Sequence, residues 1–229
     1  MSFLNDVLSP VESLSSRDVT ILVVGIVVVL SLPGVWRTLR HVVTIVHEGG
    51  HAFIALAAGR QLSGIRLHSD TSGLTVSRGR PRGFGMIMTA AAGYTAPALV
   101  GLLGAWLVSL GYTLAWVWGF VAVLVVMLMK IRNWFGAWVL LATGGIIGVI
   151  MWFGPTTIHV WAGTALAILL LVGSMRAVVE LGRSRSRGAR TTDADMLARI
   201  TVLPAVVWVA GFFLVTGACT AGGVWLLLG

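Results

Sequence analysis

The sequence predicts an all-α, polytopic membrane protein of about six to seven transmembrane helices, with a short cytoplasmic or re-entrant β-hairpin after a helix that carries an HExxH motif. Three observations predict it. Only 10% of the 229 residues are charged and 57% are apolar, whereas an ordinary soluble domain has about a quarter of its residues charged. The apolar residues gather into runs close to the roughly 20 needed to cross a bilayer. The 16 Lys and Arg residues fall in short clusters between those runs, as they do in cytoplasmic membrane loops. The same figures exclude a disordered chain. The net charge of +8 suits lipid better than nucleic acid, because no aromatic residues are interleaved with the arginines. Cys219 is the only cysteine, so no intrachain disulfide can form.

The N-terminal tail, residues 1–18, has no basic residue before Arg17 and so lacks the start of a cleavable signal peptide. The predicted helices then follow in order: Val19–Pro33, Leu39–Ala58, Phe84–Leu110, Thr113–Met129, Trp134–Phe153, Thr157–Val172 and Leu203–Leu228. The second is unusual because His41, His47, Glu48 and His51 lie within it. In the loop 61–83, Ile65 and Leu67 alternate with polar residues, Asp70–Gly73 supply turn chemistry, and Leu74 and Val76 alternate again; this pattern predicts a β-hairpin. Residues 177–192 read as a basic cytoplasmic linker that touches anionic lipid. Trp36, Trp134, Trp152 and Trp161, near helix ends, read as interface anchors. The positive-inside rule places the hairpin loop, Lys130–Arg132 and the basic linker in the cytoplasm, in a cell membrane. With seven spans this puts Arg17 inside but Arg37 and Arg40 outside, against the rule.

The chemistry centres on His47-Glu48-Gly49-Gly50-His51. Residues four apart share one face of a helix, so both imidazoles can approach one metal ion while Glu48 addresses a water beside it. In a chain with 5 His and 8 acidic residues, random placement yields a His-acid-x-x-His pattern roughly 0.4% of the time. An unpaired ionisable group in a membrane helix costs about 2.5–3.5 kcal/mol, and a bound cation compensates three at once. A catalytic zinc usually takes a third protein ligand. Asp193 and Asp195, just before the last helix, are the acids best placed to supply it. His51 lies about nine residues, roughly 13 Å, before Arg60, and a helical DADMLARIT segment dipping into the bundle would reach that depth.

The stretches HEGGHAFIALAAGRQLSGIRLHSDTSGLT (47–75), AAAGYTAPALVG (90–101), IRNWFG (131–136) and DADMLARITVLPAVVWV (193–209) resemble the site-2 protease class of intramembrane zinc metallopeptidases, the M50 family, in its compact bacterial M50B-like branch. The resemblance implies one integral membrane peptidase domain over residues 1–229. His47 and His51 would be zinc ligands, Glu48 the general base, and Asp193 the third ligand with Asp195 as the alternative; Asn133, in a basic turn, is a candidate for binding substrate backbone, with a helix N-cap as the favoured alternative. It implies hydrolysis of membrane-protein or peptide substrates in the bilayer, the hairpin capturing an unwound strand. The chain departs from the family pattern in lacking the usual Asp-Gly pair after an Asn/Pro motif. Two other readings use the same cluster: a transporter or proton relay, and a catalytically inactive M50-like scaffold.

Overall fold

The computed structural model describes residues 3–229. A short helix α1 (Phe3–Leu8) precedes α2 (Ser16–Ser31), whose N-cap Ser15 accepts a hydrogen bond from the Asp18 amide at 3.2 Å. The apolar run does not end there. The residue before a proline is pushed out of the helical region, and Leu32 is accordingly extended, at φ −77° and ψ 119°. Pro33 then opens α3 (Pro33–Ala57) at a position where its missing N–H is harmless. The two helices meet at 109°. The reading of Trp36 as an exposed anchor near a helix end is therefore corrected: Trp36 is buried, and its indole N–H donates to Glu180 Oε1 at 2.6 Å.

The predicted hairpin is present as an antiparallel pair, β1 (Gln61–Leu67) and β2 (Gly73–Arg78), with Ile65 opposite Thr75 and Leu67 opposite Gly73. Its turn is tied locally by Asp70, which accepts from the Ser72 amide at 2.9 Å and the Ser72 hydroxyl at 2.6 Å. These bonds hold the Asp70 carboxyl below the usual range. Thr71 sits at φ 71°, and its carbonyl accepts from Thr44 Oγ1 at 2.9 Å, which fastens the turn to α3. The other edge of β1 is also covered. The Ile65 amide donates to Lys130 O and the Arg132 amide to Ile65 O, both at 2.9 Å, forming a parallel bridge between Ile65 and Ile131.

Helix α4 (Phe84–Ser109) is the central pillar, packed on α3, α7 and α9. Its buried face is built of small residues, among them Ala90, Ala92, Gly93, Ala98, Gly101 and Gly104, which let helices approach closely in lipid. At Gly101 the backbone of α7 lies so near that a Cβ would meet the Leu171 amide nitrogen at 3.0 Å. Around α4 stand α5 (Thr113–Leu128), α6 (Trp134–Phe153), α7 (Thr156–Ser186), the short α8 (Asp193–Ile200) and α9 (Ala205–Leu228). The N-terminal segment sits at one end of this bundle: the Val11 amide donates to Gly111 O at 2.9 Å, Ser13 Oγ to Val108 O at 2.8 Å and Ser16 Oγ to Leu228 O at 2.9 Å.

Among the described residues, α4, α6, α7 and α9 are each long and apolar enough to cross a membrane, and the bent α2–α3 pair counts as a fifth candidate. The predicted six to seven spans are not confirmed. The sequence reading takes Val19–Pro33 and Leu39–Ala58 as separate crossings, whereas α2 and α3 are long and apolar enough only together, as a pair bent by 109° that is either a broken span or a re-entrant loop. The segment predicted at Thr113–Met129 is a helix of 16 residues, short of the roughly 20 that span a bilayer. A second correction concerns the basic linker: α7 continues through Val178, Glu180 and Leu181 to Ser186, since Val178 and Leu181 are buried against Ala90 and Ala194. Only residues 187–192 connect α7 to α8.

Candidate metal centre

Helical spacing puts His47 and His51 on the same face of α3, and α8 brings Asp193 to meet them. The two Nε2 atoms are 3.1 Å apart, and Asp193 Oδ2 lies 3.2 Å from that of His47 and 3.3 Å from that of His51. All three ligand atoms fall within 4.8 Å of one another. His51 is 9% exposed, and its Nδ1 is 2.7 Å from the Thr89 carbonyl oxygen. An Nδ1–H donated to that carbonyl leaves the Nε2 lone pair facing the cluster, as metal-binding histidines are commonly oriented. Two imidazoles and a carboxylate are a donor set that zinc accepts. The space in front of them is kept open by Gly93 on α4, where a Cβ would run into both Nε2 atoms. Gly50 similarly lets α3 lie against Ala92 and Ala96. The next residue of α4, Tyr94, meets the His47 ring edge-on at 4.7 Å and stacks on Phe212 of α9 at 5.3 Å.

Glu48, one residue on from His47, meets the hairpin. It is 3% exposed. Its Oε2 accepts from Thr75 Oγ1 at 2.6 Å, and the same hydroxyl lies 3.1 Å from the Glu48 carbonyl. Strand alternation puts Gly73 on that face too, where any side chain would collide with the carboxylate. One helix thus offers its histidines to α4 and α8 and its glutamate to β2.

The Peptidase M50B-like family profile matches residues 19–223. The chain belongs to this family. It is an M50 peptidase of the site-2 protease class, a family of zinc metallopeptidases that act in membranes. Comparisons with curated proteins and with solved structures return no match.

In this M50B-like chain the two aspartates of α8 have different surroundings. Asp195, the alternative third ligand, faces away from the histidines. One of its oxygens pairs with the Arg185 guanidinium, and the other accepts from the Thr192 amide at 3.0 Å and the Thr192 hydroxyl at 2.6 Å. Burial raises the Asp195 carboxyl, but these bonds outweigh it and hold the group down at about 2. Asn133, predicted to bind substrate, has its amide committed within the protein: Nδ2 donates to Leu67 O at 2.7 Å and Oδ1 accepts from the Leu67 amide at 3.2 Å. It occupies the N-cap position of α6 without a side-chain cap, and its service is to clamp β1. The sequence reading missed Thr75, Thr89, Gly93 and Tyr94. Thr89 acts through its carbonyl, which leaves no trace in residue type, whereas a glycine among the alanines of 90–92 is a visible signal of close approach.

Proposed function

We propose that this chain is an intramembrane zinc metalloprotease in which His47, His51 and Asp193 hold the metal and Glu48 is the general base. The convergence of three ligand atoms from α3 and α8 within 4.8 Å carries the reading. A zinc ion held there supplies a Lewis acid that polarises the scissile carbonyl and eases deprotonation of water. The Glu48 carboxylate takes the proton from the attacking water and delivers it to the departing amine. Thr75 holds Oε2, which leaves Oε1 for that proton. A helical substrate hides its carbonyls in its own hydrogen bonds, so it must be unwound before cleavage. With β1 flanked on both sides, the open edge of the sheet belongs to β2. A substrate strand added to that edge would lie next to β2, whose Thr75 holds Glu48.

The bent α2–α3 pair supports a six-segment topology in the cell membrane, with α2–α3 as one broken crossing and α5 as a short one. Residues 3–15 then lie outside with the 110–112 turn and the end of α9. The hairpin, Lys130–Arg132 and residues 183–199 lie in the cytoplasm. This arrangement moves Arg37 and Arg40 to the cytoplasmic half, where Arg40 meets Glu180 at 3.1 Å, and leaves Arg17, at the outer start of α2, as the one exception to the positive-inside rule. In a Cys219→Ala background, a cysteine at Glu12 is expected to react with a membrane-impermeant maleimide on intact cells. Labelling only after permeabilisation would restore the seven-span order.

Purified protein is expected to hold about one zinc per chain, and cleavage of a membrane-embedded reporter peptide is expected to stop on chelation and return with added zinc. Tight binding of no transition metal, or cleavage indifferent to chelation, sinks the proposal.

A further inference from the structure

A cavity of about 560 Å³ lies beside the metal centre, between α4, the end of α7 and the start of α8. Arg40, Tyr94, Glu180, Arg183, Arg187 and Thr192 line it. Two of these border the site directly: Tyr94 rests on the His47 ring, and Thr192 immediately precedes Asp193. Its charges are unevenly matched. Glu180 is engaged by Arg40 at 3.1 Å, by Arg176 at 3.6 Å and by the Trp36 indole. No ion pair engages the guanidinium of Arg183 or Arg187 among the described residues. The cavity therefore offers two unmatched positive groups next to the place where a peptide would be cut.

We propose that this cavity is a subsite that takes the carboxylate of an acidic residue of the substrate, near the scissile bond. The inference rests on the metalloprotease reading and adds a substrate class to it. Guanidinium groups bind carboxylates through paired, charge-assisted hydrogen bonds. A strand added to β2 would have to continue past the metal centre and Tyr94 for its side chains to reach the cavity. A phospholipid headgroup is a poorer fit, because its chains need an apolar trough and the aliphatic lining is confined to Leu181 and Ala189.

The test uses the full-length protein loaded with cobalt(II), whose visible spectrum reports ligands at the metal. The probes are short peptide hydroxamates carrying Glu or Gln one, two or three residues to either side of the hydroxamate. At one or more positions Glu is expected to bind about tenfold tighter than Gln. The Arg183→Gln/Arg187→Gln variant is expected to lose that preference while keeping its metal and its affinity for the Gln peptides. Equal binding of Glu and Gln at every position, or a preference that survives in the variant, overturns the subsite alone. Loss of the preference on moving from zwitterionic nanodiscs to ones rich in phosphatidylglycerol assigns the two arginines to lipid and also overturns it. If no hydroxamate perturbs the spectrum, the metal centre itself is wrong, and the subsite falls with it.

Discussion

Glu48→Gln is expected to abolish proteolysis and leave the metal in place. The amide has the shape of the carboxylate and can still accept the Thr75 hydrogen bond, so the contact between α3 and β2 survives. It has no basic oxygen at neutral pH, and loss of a general base costs about 10²- to 10⁴-fold in rate. The loss should fall on kcat, with KM little changed, because the interaction removed belongs to the transition state. Metal content should match wild type, since the proposed ligand group is His47, His51 and Asp193. Side-by-side turnover and metal analysis of the two proteins decides the matter. Residual activity within tenfold of wild type would give the base to another residue, and loss of metal would make Glu48 a ligand.

The sequence made this residue visible because both HExxH geometry and its chemistry are local to one turn and a half of helix. Hairpin alternation was legible for the same reason: Ile65, Leu67 and the Asp70–Gly73 turn declare themselves within a dozen residues. Features set by distant parts of the chain were not. An apolar run interrupted by Leu32-Pro33 reads as the end of one span and the approach to another. That the chain turns through 109° and continues depends on Trp36, Val43 and Gly173 packing α3 onto α7. Trp36 has the composition of an anchor and the position of a core residue, a difference made by Glu180, 144 positions later. The excess length of α7 was hidden by its arginines, which look like a loop in composition but lie on a helix that buries Val178 and Leu181.

Separating Asp193 from Asp195 needed the third dimension, and it leads to the second expected result: Asp193→Ala should weaken metal binding far more than Asp195→Asn. Two residues apart on an α-helix are about 200° apart around its axis, so the two carboxylates of α8 cannot both face the histidines. Asp193 faces them, 3.2 and 3.3 Å away. Removing it deletes one of the three proposed ligands and leaves two, fewer than a catalytic zinc site uses. Asp195 works one step back. Its bonds to Thr192 and Arg185 fix the first turn of α8 against the end of α7, and that turn sets where Asp193 points. Loss of such an outer partner typically costs 10- to 100-fold in metal affinity. Arg185→Gln should reproduce the Asp195→Asn defect, and the double variant should be little worse than either single one, because the two residues share one interaction. Competition titration with a chromophoric zinc chelator measures all four proteins. If Asp195→Asn empties the site while Asp193→Ala fills normally, the assignment of the third ligand is reversed. If the Arg185 and Asp195 defects simply add, the two residues do not act through a common contact on α8.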